Sequence, residues 1–153
     1  MLTRQRYSSN NSLQEAAELI TRSACDIYEI DCASLWNLEG NRLLPVSAFE
    51  RETQAHVAQD IFDASHFPDY LEALHTSRSI DAPNASRDPR TRELVASLGR
   101  HEANAMLDAG IRIDGQVVGV LCLEQVGRTR AWQADEIAFA GELADQFAQV
   151  INN

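Results

Sequence analysis

Leu13, Ala16, Ala17, Ile20, Ala24 and Ile27 recur at helical spacing near the start of the chain. The spacing predicts a helix from about Leu13 to Glu29. Ser12-Leu13-Gln14-Glu15 reads as the capping box that opens it, because the hydroxyl and the carboxylate satisfy backbone donors at a helix start. Ile137, Ala140, Leu143, Ala144, Phe147 and Ile151 predict a second long helix at the other end. Between the two, the pattern shortens to strand-like runs. "CASLWNL" and "RLLPVSAF" flank Glu39-Gly40-Asn41, and "NAMLDAGIRI" and "QVVGVLCLE" flank Asp114-Gly115. Both junctions carry residues that accept the positive φ of tight hairpin turns. "ETQAHVAQDIF" predicts a short helix with Ala55, Ala58 and Ile61 on one side. Pro68 opens another that carries Tyr70, Leu71 and Leu74. Ser79-Ile80-Asp81 predicts a short edge strand ended by Pro83. Asp88 then reads as an N-cap with Pro89 in the first turn, on a helix bearing Leu94, Val95 and Leu98 and stopped by Gly99.

A hairpin at each end of the strand set predicts an α+β fold built on an antiparallel sheet with helices on its faces. The length of 153 residues fits one domain. Residues 1–10 are expected to be a flexible lead-in, with residues 11–153 forming the domain. A net charge of −10 opposes contact with nucleic acid or an anionic membrane surface. No apolar run reaches membrane-spanning length, and "MLTRQRYSSNNS" lacks the apolar segment of a secretion signal. Cys25, Cys32 and Cys122 are odd in number and lack CxxC spacing, as expected of reduced thiols in a cytoplasm. His56, His66, His75 and His101 lack zinc-ligand spacing, so no metal is expected, and the residues name no cofactor.

Three stretches carry a resemblance: "SIDAPNASRDPRTREL", "NAMLDAGIRIDGQVVGVLCLEQVGRTRAW" and "ADEIAFAGELADQFAQVI". On these the chain resembles a GAF domain, most of all those attached to bacterial histidine kinases and diguanylate cyclases. The resemblance implies a central antiparallel sheet in the order 2-1-5-4-3. It implies the first and last helices together behind that sheet, and a pocket in front under the middle helices. It further implies a cytoplasmic role in signal transduction, as in two-component systems. The expected partners are an unidentified small molecule, a second copy of the chain, and an output domain such as a kinase or cyclase.

Strand alternation sorts the faces independently. Ala105, Leu107, Ala109, Ile111 and Ile113 form one apolar side, opposite Asn104, Met106, Asp108 and Arg112. On the next strand Val118, Val120, Cys122 and Glu124 oppose Val117, Gly119, Leu121 and Leu123. Ser34 and Trp36 oppose Ala33 and Leu35. The mixed face, with Ser34, Trp36, Met106, Asp108, Cys122 and Glu124, is then the expected pocket floor. Tyr70, Asp81 and Arg92 complete the candidate ligand-binding set.

Each candidate carries a second reading. Trp36 serves as core or as a ligand platform. Asp108 and Glu124 hold a cation or an amine, or else Glu124 ends its strand in solvent and Asp108 caps a backbone. Asp81 contacts ligand or accepts backbone hydrogen bonds. Arg87, Arg90 and Arg92 form an anion clamp or a solvated face. Cys122 reads as a small core residue.

No catalytic residues are expected. Free methionine sulfoxide reductases share the fold but cluster their cysteines around the middle loops. Here Cys25 falls in the first helix and Cys32 at the start of the first strand, away from Cys122. Bilin-binding relatives attach pigment to a cysteine where this chain has "LGRHEANA", with His101 and no Cys. The Asn-Lys…Phe-Asp-Glu pattern of cyclic-nucleotide relatives is missing. The expected function is a non-catalytic sensory module that dimerises through its terminal helices. The alternatives are a purely structural dimerisation module and a sulfoxide reductase-like enzyme.

Overall fold

The computed structural model describes residues 2–99 and 101–152, with side chains from residue 11 onward. Helix α1 runs Leu2–Tyr28 and α4 runs Ala134–Asn152. Between them lie strands β1 (Cys32–Glu39), β2 (Arg42–Glu50), β3 (Ala55–His56), β4 (Phe62–Asp63), β5 (Ser79–Ala82), β6 (Asn104–Ile113) and β7 (Gln116–Val126). Two shorter helices, α2 (Pro68–Thr76) and α3 (Arg92–Ser97), interrupt the strands.

The sheet is antiparallel in the order β3-β2-β1-β7-β6-β5, and β4 also pairs with β2. Its longer strands follow the expected 2-1-5-4-3, and two-residue strands extend the outer side of β2. Asp114 and Gly115 turn the β6–β7 hairpin with φ of 52° and 78°, the left-handed pair that a two-residue hairpin loop requires.

One face of the sheet is sealed by the terminal helices. Ala33, Leu35, Leu107, Ile111, Leu121 and Leu123 pack there against α1 and α4. From α1 come Ala17, Ile20, Ala24, Cys25 and Tyr28, and from α4 come Ala140, Leu143, Ala144, Phe147 and Ala148. The Arg130 guanidinium joins the layers. It donates to Tyr28 O at 2.8 Å and Gln125 Oε1 at 3.0 Å, pairs with Glu136, and lies over the Trp132 ring.

The other face carries a second core. Tyr70, Leu71 and Leu74 of α2 and Leu94 and Val95 of α3 pack with Ile80, Met106 and Val120. Arg112 holds the end of α2 by donating to Leu74 O, His75 O and Ser77 O, each at 3.2 Å. A cation there complements the exposed carbonyls of a helix C-terminus.

Several local expectations are corrected. Helix α1 begins at Leu2 and not at Leu13. No Gly or Pro interrupts residues 2–12, so nothing there breaks a helix, and Ser12 lies inside it. Ile27 is 59% exposed while Tyr28 is buried, because the buried stripe follows Ala17, Ile20, Ala24 and Tyr28. "ETQAHVAQDIF" forms no helix. Gln54 turns at φ 53°, and β3 pairs His56 with Phe49. Helix α3 starts at Arg92, after Thr91, which makes no side-chain cap. Asp88 instead accepts from Arg90 N at 2.8 Å and pairs with the Arg90 side chain, a turn closed by its own side chain. Val118 packs with the terminal-helix side and Val117 with the opposite side. Gly119 pairs with Ile111 and Val117 with Arg112, so Val118 is the extra residue of a β-bulge, which reverses the alternation.

Among the described residues, no helix is long and apolar enough to cross a membrane.

Candidate functional site

The face away from the terminal helices floors a cavity of about 640 Å³. Cross-strand register builds the floor in rows. Asp108 sits opposite Cys122, and Cys122 opposite Ser34. Met106 sits opposite Glu124, and Glu124 opposite Cys32. Directly opposed residues share a face, so these side chains project together. Tyr70 of α2, Leu94 of α3 and the irregular stretch 57–61 supply other walls.

Of the candidate residues, Ser34, Trp36, Tyr70, Met106, Asp108, Cys122 and Glu124 line this cavity. Asp81 and Arg92 are not among its lining residues. The Asp81 carbonyl accepts from Arg90 Nη2 at 2.9 Å, and Arg92 is exposed. Arg87 is exposed as well, and Arg90 is committed to Asp88 and Asp81. The three arginines therefore do not converge as a clamp. The stretch around them reaches the cavity only through Leu94 and Leu98.

Asp108 is the central group. It is 0% exposed. Its Oδ2 accepts from the Tyr70 hydroxyl at 2.5 Å and from Cys122 Sγ at 3.5 Å. Its Oδ1 is buried with no hydrogen-bond partner among the described residues. Burial pushes the Asp108 carboxyl up to about 7, with the Glu124 charge adding and the Tyr70 and Cys122 hydrogen bonds opposing. Burial and the neighbouring Asp108 both raise the Tyr70 hydroxyl and the Cys122 thiol well above their ordinary ranges. Both therefore serve as proton-bearing donors to the carboxyl.

Glu124 is half-buried, accepting from Asn104 Nδ2 at 2.9 Å and Cys32 Sγ at 3.4 Å. It is a built-in member of the floor, not a strand end left in solvent. Trp36 donates Nε1–H to Ser34 Oγ at 2.8 Å, which fixes the indole along β1 while the side chain stays half-buried.

Cys32 corrects the cysteine expectation, since it lines the same cavity as Cys122. The parity of Cys32 with Ser34 and Trp36 is the signal that could have placed it. Cys25 lies behind the sheet, where burial and the nearby Asp26 raise its thiol to about 12. Five further acidic or apolar contributors, Asp31, Glu50, Glu52, Asp60 and Phe62, escape the sequence pattern. They come from strand ends and loops whose inward direction no periodicity encodes. Among the described residues, no group of three His, Cys, Asp or Glu side chains is arranged to hold a metal ion.

A sheet with paired terminal helices behind and a lidded cavity in front defines the architecture of this α+β module. The family profile described as GAF domain matches residues 12–151, and the chain belongs to that family. Among solved structures, the PixJ GAF domain of Thermosynechococcus elongatus in its blue-light absorbing form is similar at a TM-score of 0.78 and 20% identity, covering 94% of this chain and 87% of that one. The GAF domain/HD domain protein of Geobacter sulfurreducens is similar at 0.72 and 12% identity, covering 95% of each chain. The GAF domain of an Acinetobacter phosphoenolpyruvate-protein phosphotransferase is similar at 0.68 and 16% identity, covering 97% and 89%. No curated protein matches the chain. GAF domains are generally regulatory sensory modules.

Proposed function

We propose that this GAF domain is a non-catalytic sensory module. It takes a small cytoplasmic molecule into the front cavity and pairs with a second copy through its terminal helices. Its output passes to a kinase or cyclase partner. The observation that carries the reading is the asymmetry of the sheet. The apolar face is closed under α1 and α4, while the mixed face opens onto about 640 Å³, the size of a small-molecule site. Leu19 and Ile27 of α1 are 55% and 59% exposed, which supports helix pairing between copies. Occupancy would act by favouring one packing of those helices over another.

The thiols support the non-catalytic reading over the reductase alternative. Cys122 donates to Asp108, and burial together with that neighbouring carboxyl keeps it a thiol, while Cys32 donates to Glu124. The thiolate is the nucleophile, and a neighbouring carboxylate works against it.

Native mass spectrometry of the purified protein tests the proposal. The expected result is a dimer carrying a small molecule released on denaturation. A monomer with nothing bound, unresponsive in thermal shift to a metabolite library, would leave only a structural role.

A further inference from the structure

The charge of the cavity narrows the ligand class, an inference that rests on the sensory reading above. Asp31, Glu50, Glu52, Asp60, Asp108 and Glu124 all line it, and none of its described lining residues is Lys, Arg or His. An anionic ligand would meet only repulsion there. Among the described residues, no cluster of ligands for a bare metal ion is present. Asp108 is the one member of the six that is fully buried, and its Oδ1 has no donor among the described residues. Leaving a buried acceptor without a partner is costly, and in a native protein such a group calls for an explanation, a functional role among them. The missing complement is an N–H donor, best supplied with positive charge. Beside it stand apolar walls from Trp36, Leu43 and Phe62, and an indole face also attracts a cation.

We propose that the cavity binds a small protonated amine, its ammonium on Asp108 Oδ1 and its apolar body against Trp36, Leu43 and Phe62. Because Oδ1 is closed to solvent, docking displaces a covering side chain. Met106 lines the same floor, and its unbranched side chain re-packs readily. Binding draws on the ionised form of Asp108, so the cation releases a proton as it seats. The titratable groups facing Asp108 are Tyr70 from α2 and Cys122 and Glu124 from β7. Tyr70 and Cys122 keep their protons throughout the neutral range. With the Asp108 carboxyl near 7, affinity should rise about tenfold from pH 6 to pH 8.

The test is a matched panel read by thermal shift and calorimetry. Alkyl- and arylalkylammonium ions from methylammonium to phenethylammonium are each paired with the corresponding alcohol and carboxylate. The expected result is that ammonium members bind and their counterparts do not, with the stated pH dependence. In Asp108→Asn, affinity should fall at least tenfold. If alcohols or carboxylates bind as well as the amines, or amine affinity ignores pH between 6 and 8, the ligand class is overturned while the sensory reading stands. If neither the panel nor a metabolite library binds, both fall. The pH profile of the unmodified protein decides the matter even if Asp108→Asn fails to fold.

Discussion

Asp108→Asn should make the domain more stable at pH 8 and flatten its stability across the neutral range. The Asp108 carboxyl sits near 7 in the folded chain, raised chiefly by burial, against an ordinary value of 3.8. Between these values the folded state holds a proton that the unfolded state has released. Stability from this group is therefore complete below about pH 4 and is lost as pH rises through 7. Every tenfold difference in proton affinity between the two states corresponds to about 1.4 kcal/mol, so the loss across the window amounts to several kcal/mol. Asparagine keeps the shape and an oxygen for the Tyr70 hydroxyl, and it never ionises. Urea midpoints for both proteins from pH 5 to pH 8 check this. The unmodified protein should lose stability with pH more steeply than the variant, and parallel profiles would refute the assignment. A carboxylate that destabilises its own fold is a mark of function.

Gly119→Ala should cost about 3 kcal/mol, the upper end for an overpacked interior. A methyl at Gly119 would lie 2.3 Å from Trp36 O and 3.2 Å from Ile111 Cδ1. The first contact is with backbone, which cannot swing aside. Strands β1 and β7 would have to part where Asn37 faces Gly119, beside the Trp36 that walls the cavity. The expected measurement is a large fall in urea midpoint with an unchanged slope. Stability within 0.5 kcal/mol of the parent, roughly the scale of an ordinary surface change, would mean that the strands approach less closely than described.

Much of this arrangement is legible in the sequence because strand parity is a strict period of two. Leu107 and Leu121 alternate with Met106 and Cys122, and the two sets separate onto the two sides of the sheet. On this hairpin the alternation fails at Val118, where the bulge inserts a residue that no residue pattern announces, and a second such shift falls at Val46 in β2. The segment around His56 reads as helix because Ala55, Ala58 and Ile61 mimic helical spacing. Tertiary contacts prevail instead: His56 meets the Phe49 ring edge-on at 5.0 Å, and Val57 N donates to Ala48 O at 2.9 Å. Parity places Asp108 on the mixed face, but its complete burial is hidden. That burial depends on Tyr70, thirty-eight positions away in sequence, and no local pattern links the two.

The functional reading depends above all on the Met106 side of the sheet being the ligand side. The chain has two methionines, Met1 and Met106, so a methyl-labelled methionine NMR spectrum carries one reporter within the cavity floor. Titration with phenethylammonium should shift the Met106 methyl saturably, and the shift should be lost in Asp108→Asn. A Met106 methyl that stays fixed while the compound demonstrably binds elsewhere, or that shifts identically in the variant, would show that the ligand does not sit on this floor.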